Sequence, residues 1–353
     1  MSLRQILCQI CLLGLFAVPP AWASDHAAVF LYHRFGDLRY PSTNIATESF
    51  QSHLQALQDG QYQVVTLGTL VAWLQAGESL PEKTAVISVD DVYRSFLEEA
   101  LPLLKRYNYP ATLFVSTESV GGGDLLGWQE LATLVDDGFE IGNHSARHDY
   151  LLDRLAGEDE KAWRQRVSRD LEDAQRAFET HLGFRPKLFA YPYGEFSPLL
   201  VELVREAGFV AAFGQQSGVV GAGQNLFALP RFPMAGSYVG VEQFKEKLAM
   251  QPLPVEVLSP ATTCLEQIAN PPILKVRVDL ADLDASSLRC YVNGRERCDL
   301  VWIDDEEGVL EARSQERLGG RRSKYTLTAH DGSGRQWFWF SQLWVAPRQL
   351  PVD

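Results

Sequence analysis

From Ala27 to about Met250, short runs rich in Val, Ile, Phe and Tyr alternate with amphipathic stretches of helical period, and this repeated order restricts the fold more than any other feature. A helix that follows each strand returns the chain so that successive strands lie parallel, with the helices packed outside. Strands are expected over 28–32, 63–66, 84–89, 111–115, 139–143, 187–191 and 209–213. Helices are expected over 48–58, 67–75, 95–107, 128–136, 158–181 and 197–207. With about seven such units, an α/β fold of the distorted (β/α)7-type barrel is expected rather than an open sheet. All strands of such a barrel point their C-terminal ends to one face, where groups distant in sequence converge.

The pattern changes after Gln251. Pro252, Pro254, Pro260, Pro271 and Pro272 punctuate an expected linker over 251–272. Alternating segments then follow, separated by turn signals at Asn293-Gly294, Gly319-Gly320 and Asp331-Gly332, which reads as a smaller all-β sandwich over 273–353. Its aromatic run Trp337-Phe338-Trp339-Phe340, with Trp344, suits either a sugar-stacking platform or a sandwich core.

The first residues read as a signal peptide over 1–23 rather than as part of the barrel domain over 24–250. Arg4 precedes an apolar run from Ile6 to Val18, then Pro19-Pro20 and the small-x-small site Ala21-Trp22-Ala23. The run is shorter than the ~20 residues a membrane span needs, and no later segment is long and apolar enough. An exported protein, periplasmic or extracellular, is expected. Loss of Arg4 with the signal moves the formal net charge from −13 to −14. That argues against nucleic acid as a partner, because phosphate binding needs clustered Lys and Arg. Cys264, Cys290 and Cys298 then remain in an oxidising compartment, where Cys290 with Cys298 across a hairpin is the simplest pairing and the odd cysteine leaves it open.

Two short segments carry the chemistry. Ser88-Val89-Asp90-Asp91 closes one apolar run and His144-Ser145-Ala146-Arg147-His148 follows another. Asp91, His144 and His148 could give a divalent metal one carboxylate and two imidazoles with positions left open, while Asp90 stays free as a base. Each half alone also suits a solvated turn or a helix surface. His33, Asp90, Asp91, His144 and Tyr193 all follow expected strands, so the barrel would gather them on one face.

These residues resemble the polysaccharide deacetylase family, also called the NodB-homology or carbohydrate esterase family 4 group, over roughly Ala28 to Met250. Ser88-Val89-Asp90-Asp91 is similar to its Thr-Phe-Asp-Asp motif, with Val92 where Gly often follows. His144-Ser145-Ala146-Arg147-His148 matches His-Ser/Thr-x-x-His, and Ala190-Tyr191-Pro192-Tyr193-Gly194 resembles Arg-x-Pro-Tyr-Gly with Ala190 in place of the arginine. That arginine orients the catalytic aspartate in the family. Arg231 is the candidate substitute, or a solvated loop arginine.

The family's Leu-x-His acid is missing from its usual place, and His330 reads as structural. His33 in Leu31-Tyr32-His33-Arg34-Phe35 resembles the early acid histidine of the poly-β-1,6-N-acetylglucosamine deacetylase branch, or is a core histidine. His26, His53 and His181 read as surface residues, and Trp128 suits either a wall of the sugar site or the core.

The resemblance implies metal-dependent hydrolysis of N-acetyl groups on a β-linked N-acetylglucosamine polysaccharide. Zn²⁺, Co²⁺ or Ni²⁺ would sit on Asp91, His144 and His148, Asp90 would be the base, His33 the acid and the Tyr193 N–H the oxyanion donor. Two other readings stand beside it: a weak or non-catalytic polysaccharide binder, given the missing arginine, and an O-acetyl esterase on xylan or cell-wall glycan. A monomer is expected.

Overall fold

The computed structural model describes residues 23–24 and 26–351, so all but Ala23 of the signal peptide expected over 1–23 lies outside the described residues. The strand Thr84–Asp90 is the centre of a nine-stranded curled sheet. It pairs in parallel with His26–Tyr32 along one edge. Along the other it pairs first with Gln63–Val65 and then with Thr112–Val115. Glu140–Asn143, Leu188–Ala190 and Ala211–Phe213 continue the order.

The two ends of the sheet are joined by one irregular segment. Leu229 donates to the Ala212 carbonyl and accepts from the Gly214 N–H, and three residues further on Phe232–Pro233 pairs in parallel with Phe30 and Leu31. The stretch from Leu229 to Pro233 therefore closes a distorted barrel.

Alternation along each strand sorts the side chains, because neighbours point to opposite faces. Ala85, Ile87 and Val89 join the cluster that packs beneath helix residues such as Phe50, Leu54 and Leu104. Val86 joins Val29, Phe114 and Phe213 on the opposite face. Ser88 and Asp90 follow Val86 at period two and so fall inside the barrel, both fully buried. Gly142 on a neighbouring strand leaves room for the Phe114 ring, which a Cβ there would meet at 2.4 Å.

Residue 251 onward forms two sheets around one core. One has five strands and includes Arg289–Val292, Arg322–His330 and Trp337–Val345. The other has four, Val255–Ser259, Ile273–Val278, Val309–Arg313 and Asp299–Asp304. Leu274, Val276 and Leu310 from the second sheet meet Cys290, Tyr325, Leu327 and Trp344 from the first. The segment expected as a linker thus supplies Val255–Ser259 to the four-stranded sheet, antiparallel to Ile273–Val278. Its prolines flank this strand and mask its alternation in sequence. Cys290 and Cys298 are disulfide-bonded, and Cys264 is buried and free.

The aromatic run divides between core and seam. Trp344 is fully buried, Trp339 donates to the Ser217 carbonyl at 2.9 Å and meets Phe232 edge-on, and Trp337 is exposed. Arg321 carries much of the rest of the seam. It reaches across to Glu195 with Nε and one terminal nitrogen at 2.7 Å each and to Asp153 at 2.8 Å, and all three side chains are nearly buried.

His53 is a correction to the surface reading. It lies fully buried on the helix Thr47–Asp59, on the face of Phe50, Leu54 and Leu57. Its ring stacks on Phe244 at 4.2 Å, its Nδ1 accepts from Tyr32 and its Nε2 donates to the Val239 carbonyl. Burial, outweighing that carbonyl, pushes its pKa from 6.5 down to about 4. A histidine held neutral in the fold stabilises it above pH 6.5 and loses that contribution as pH falls towards 4, since the unfolded chain takes the proton first. The stability gap between the wild type and a His53→Gln variant should therefore narrow by about 3 kcal/mol from pH 7 to pH 4 in urea titrations.

Candidate metal centre

Asp90 ends its strand inside the barrel, and the chain then turns sharply: Asp91 and Val92 both adopt the left-handed conformation, at φ 67° and 52°. Val92, where a glycine would sit without strain, is kept there by complete burial of its side chain. After this turn Asp91 lines a groove beside the barrel. Tyr93 donates to its Oδ2 at 3.0 Å, and the Arg34 guanidinium lies over the Tyr93 ring and pairs with Asp124. Sequence reasoning missed Tyr93 and Arg34, although both adjoin residues it singled out.

His144 follows the strand Glu140–Asn143 and is fully buried. Its Nδ1–H donates to the Ala190 carbonyl at 2.7 Å, which leaves Nε2 as the lone-pair nitrogen. That Nε2 has no hydrogen-bond partner and lies 3.8 Å from carboxylate oxygens of both Asp90 and Asp91. Burial, only partly offset by Asp90, holds the imidazole down to a pKa of about 4. His148 Nε2 stands 3.5 Å from Asp91 Oδ1, on a turn whose Ser145 hydroxyl accepts from the His148 N–H. Asp170, also missed in sequence, accepts from the N–H groups of Ala146 and Arg147 and holds this turn in place.

One ligand atom each from Asp91, His144 and His148 lies within 4.8 Å of the others. An orphaned, buried and neutral imidazole nitrogen facing a carboxylate and a second imidazole fits a divalent cation such as Zn²⁺, with positions left over. The His144 Nδ1–H bond to the Ala190 carbonyl and the Tyr93 hydroxyl's bond to Asp91 fix that ring and that carboxylate.

Arg231 lies on the closing segment, not in a solvated loop. It is fully buried and grips Asp90 with both terminal nitrogens, at 2.7 and 2.8 Å. Its Nε donates to the Gly214 carbonyl at 2.9 Å and it contacts the Ser88 hydroxyl at 3.3 Å. Burial works to raise the Asp90 pKa, but Arg231 and then His144 outweigh it and hold the carboxyl well below the usual range. The barrel seam therefore supplies a guanidinium that Ala190 cannot.

A groove of about 570 Å³ opens beside these groups, lined by His33, Asp91, His148, Tyr193, Gln215 and Arg322 among others. His33 is half-buried at the end of its strand. Tyr193 sits in the left-handed conformation at φ 59°, its ring stacked on Tyr150 at 3.8 Å and edge-on to His148 at 4.5 Å. Arg322, from the sandwich, donates to the Tyr193 carbonyl at 3.2 Å. No local signal marks Arg322 in sequence, because it arrives from 129 residues away. Trp128 does not line the groove. It packs on Phe178 and stacks on His181 at 4.5 Å.

Fold and site together define a distorted (β/α) barrel with a carboxylate and imidazole group at the C-terminal ends of its strands. The polysaccharide deacetylase family model matches residues 77–212, and the chain carries a domain of that family. A poly-β-1,6-N-acetyl-D-glucosamine N-deacetylase of Escherichia coli (strain K12) is 25% identical over 236 residues, 57% of this chain and 35% of that protein. The chain thus spans about a third of that relative's length. One from Staphylococcus aureus (strain MRSA252) is 24% identical over 208 residues, 57% of this chain and 71% of that protein. Among solved structures, IcaB from Ammonifex degensii superposes with a TM-score of 0.54 at 24% identity, over 63% of this chain and 97% of that one. A de-N-acetylase from Aggregatibacter actinomycetemcomitans gives 0.57 at 20% identity, over 63% and 100%. These two likenesses show the fold.

Proposed function

We propose that the protein is an exported, metal-dependent deacetylase that hydrolyses N-acetyl groups of a β-linked N-acetylglucosamine polysaccharide. The observation that carries this reading is the Asp90–Arg231 pair, buried 3.8 Å from the unpartnered His144 Nε2 and next to the Asp91, His144 and His148 group. Asp91, His144 and His148 would hold a divalent ion, which when bound would supply Lewis-acid charge to lower the pKa of a water and polarise the acetyl carbonyl.

Asp90 accepts the water's proton as its oxygen bonds to the carbonyl carbon. Arg231 keeps that carboxylate ionised and aimed, a role the family gives to the arginine that Ala190 replaces. The Tyr193 N–H stabilises the developing oxyanion, a contribution of about 3 kcal/mol where such a donor is preorganised. His33 gives a proton to the nitrogen as the carbon–nitrogen bond breaks, leaving acetate and a glucosamine amine. The buried arginine on the base favours turnover over the weak-binder reading.

Acetate release from N-acetylglucosamine oligomers with Zn²⁺ or Co²⁺ tests the assignment of the acid. His33→Ala should lower turnover by about 10²-fold or more without loss of bound metal. Full activity in that variant would reassign the acid.

A further inference from the structure

A second cavity, of about 240 Å³, lies between the barrel rim and the sandwich strand Arg322–His330, lined by Tyr193, Gln215, Gln216, Asn293, Arg322 and Lys324 among others. It is continuous in its lining with the groove, sharing Tyr193, Gln215 and Arg322. No carboxylate lines it, in a chain whose net charge is −13.

Two of its groups lack the partners their burial calls for. The Lys324 ammonium donates to the Ser217 hydroxyl at 2.9 Å, and among the described residues it has no carboxylate within ion-pair distance. Burial, with Lys247 nearby, pushes its pKa down to about 8, so the charge is held at a cost that an anion would remove. Gln216 is 6% exposed; its amide N–H donates to the Ala228 carbonyl and its Oε1 has no partner. Arg322 gives the Tyr193 carbonyl one bond and stands 3.6 Å from Glu195, with donors to spare among its five N–H groups. An acidic group at Lys324 and Arg322 supplies the counter-charge that Lys324 lacks and takes up the spare donors of Arg322.

We propose that this cavity is a subsite for an acidic group, carboxylate or phosphate, on the sugar adjacent to the one deacetylated, so that the substrate is an acidic N-acetylhexosamine glycan. The inference rests on the deacetylase reading for its chemistry and on the cavity alone for its charge. The sandwich then acts as one wall of the active site and sets which polymer enters.

The test uses the full chain and three oligomers of equal length: neutral N-acetylglucosamine, N-acetylglucosamine alternating with uronic acid, and phosphate-bearing N-acetylglucosamine. Calorimetric Kd and acetate release are read for each. One acidic oligomer should bind about tenfold or more tighter than the neutral one, and which of the two does so identifies the acid. That preference should weaken with added salt. Lys324→Gln should erase it while leaving the neutral oligomer's Kd and turnover unchanged, and Lys324→Arg should keep it. Equal affinities for all three oligomers in the wild type, which needs no variant to fold, would overturn the subsite, as would a preference that survives Lys324→Gln. Tight binding of an acidic oligomer without acetate release from any of the three would uphold the subsite and reject the deacetylase reading.

Discussion

Asp90→Asn should slow acetate release by about 10²- to 10⁴-fold while the protein binds metal as the wild type does. The geometry separates the two functions: Asp90 is locked to Arg231 inside the barrel, whereas the ligand atoms that approach one another belong to Asp91, His144 and His148. Asparagine keeps the volume of the side chain and can still accept from Arg231, but it cannot take a proton from water. His144→Ala makes the opposite case, since it removes the orphaned Nε2 and should abolish metal binding, read by metal content after dialysis. If Asp90→Asn lost metal as His144→Ala does, Asp90 would belong among the ligands.

Arg231→Met carries the largest expected effect on stability. Both members of the pair are fully buried, so removing the guanidinium leaves the Asp90 carboxylate without its counter-charge and the Gly214 carbonyl without its donor. Breaking a buried ion pair from one side typically costs about 3–5 kcal/mol, mostly the penalty of the stranded charge. Urea unfolding of Arg231→Met should show a loss of that order, together with loss of turnover. The double variant Asp90→Asn/Arg231→Met should recover part of the stability and none of the activity, because no charge then remains buried. A loss below about 1 kcal/mol in the single variant would mean that the pair is hydrated and weak.

The barrel was legible because its signal is local. Alternation in strands such as Thr84–Asp90 and helical period in segments such as Glu160–Leu182 each lie within a few turns of chain. The expected single helix over 95–107 begins instead with a π-helical turn, Phe96–Ala100, and a shift of that size leaves no trace in apolar spacing. Arg231 could be nominated from its place after the last strand, but not joined to Asp90. Their contact depends on the irregular closure from Leu229 to Pro233, which follows no periodicity.

His53 was legible and was misread. Phe50, His53, Leu54 and Leu57 recur at helical spacing, so the residue shared a buried face that its polarity obscured. Arg321, Arg322 and Lys324 had no such signal, since each meets the barrel across more than a hundred residues of sequence. Net charge gave no sign of this cavity either, because the −13 of the whole chain does not register that the fold gathers Arg322 and Lys324 in one cavity whose lining holds no carboxylate. Charge averaged over a chain describes its long-range field, whereas a cavity a few ångströms across is governed by the groups that line it.

The most direct test of the central claim is acetate release from β-linked N-acetylglucosamine oligomers by the full chain, measured after chelation and again after Zn²⁺ or Co²⁺ is restored. Activity should vanish with chelator, return with metal in the wild type and fail to return in His144→Ala. Acetate release undiminished by complete metal removal, or none from wild-type protein shown to hold its metal, would contradict the account.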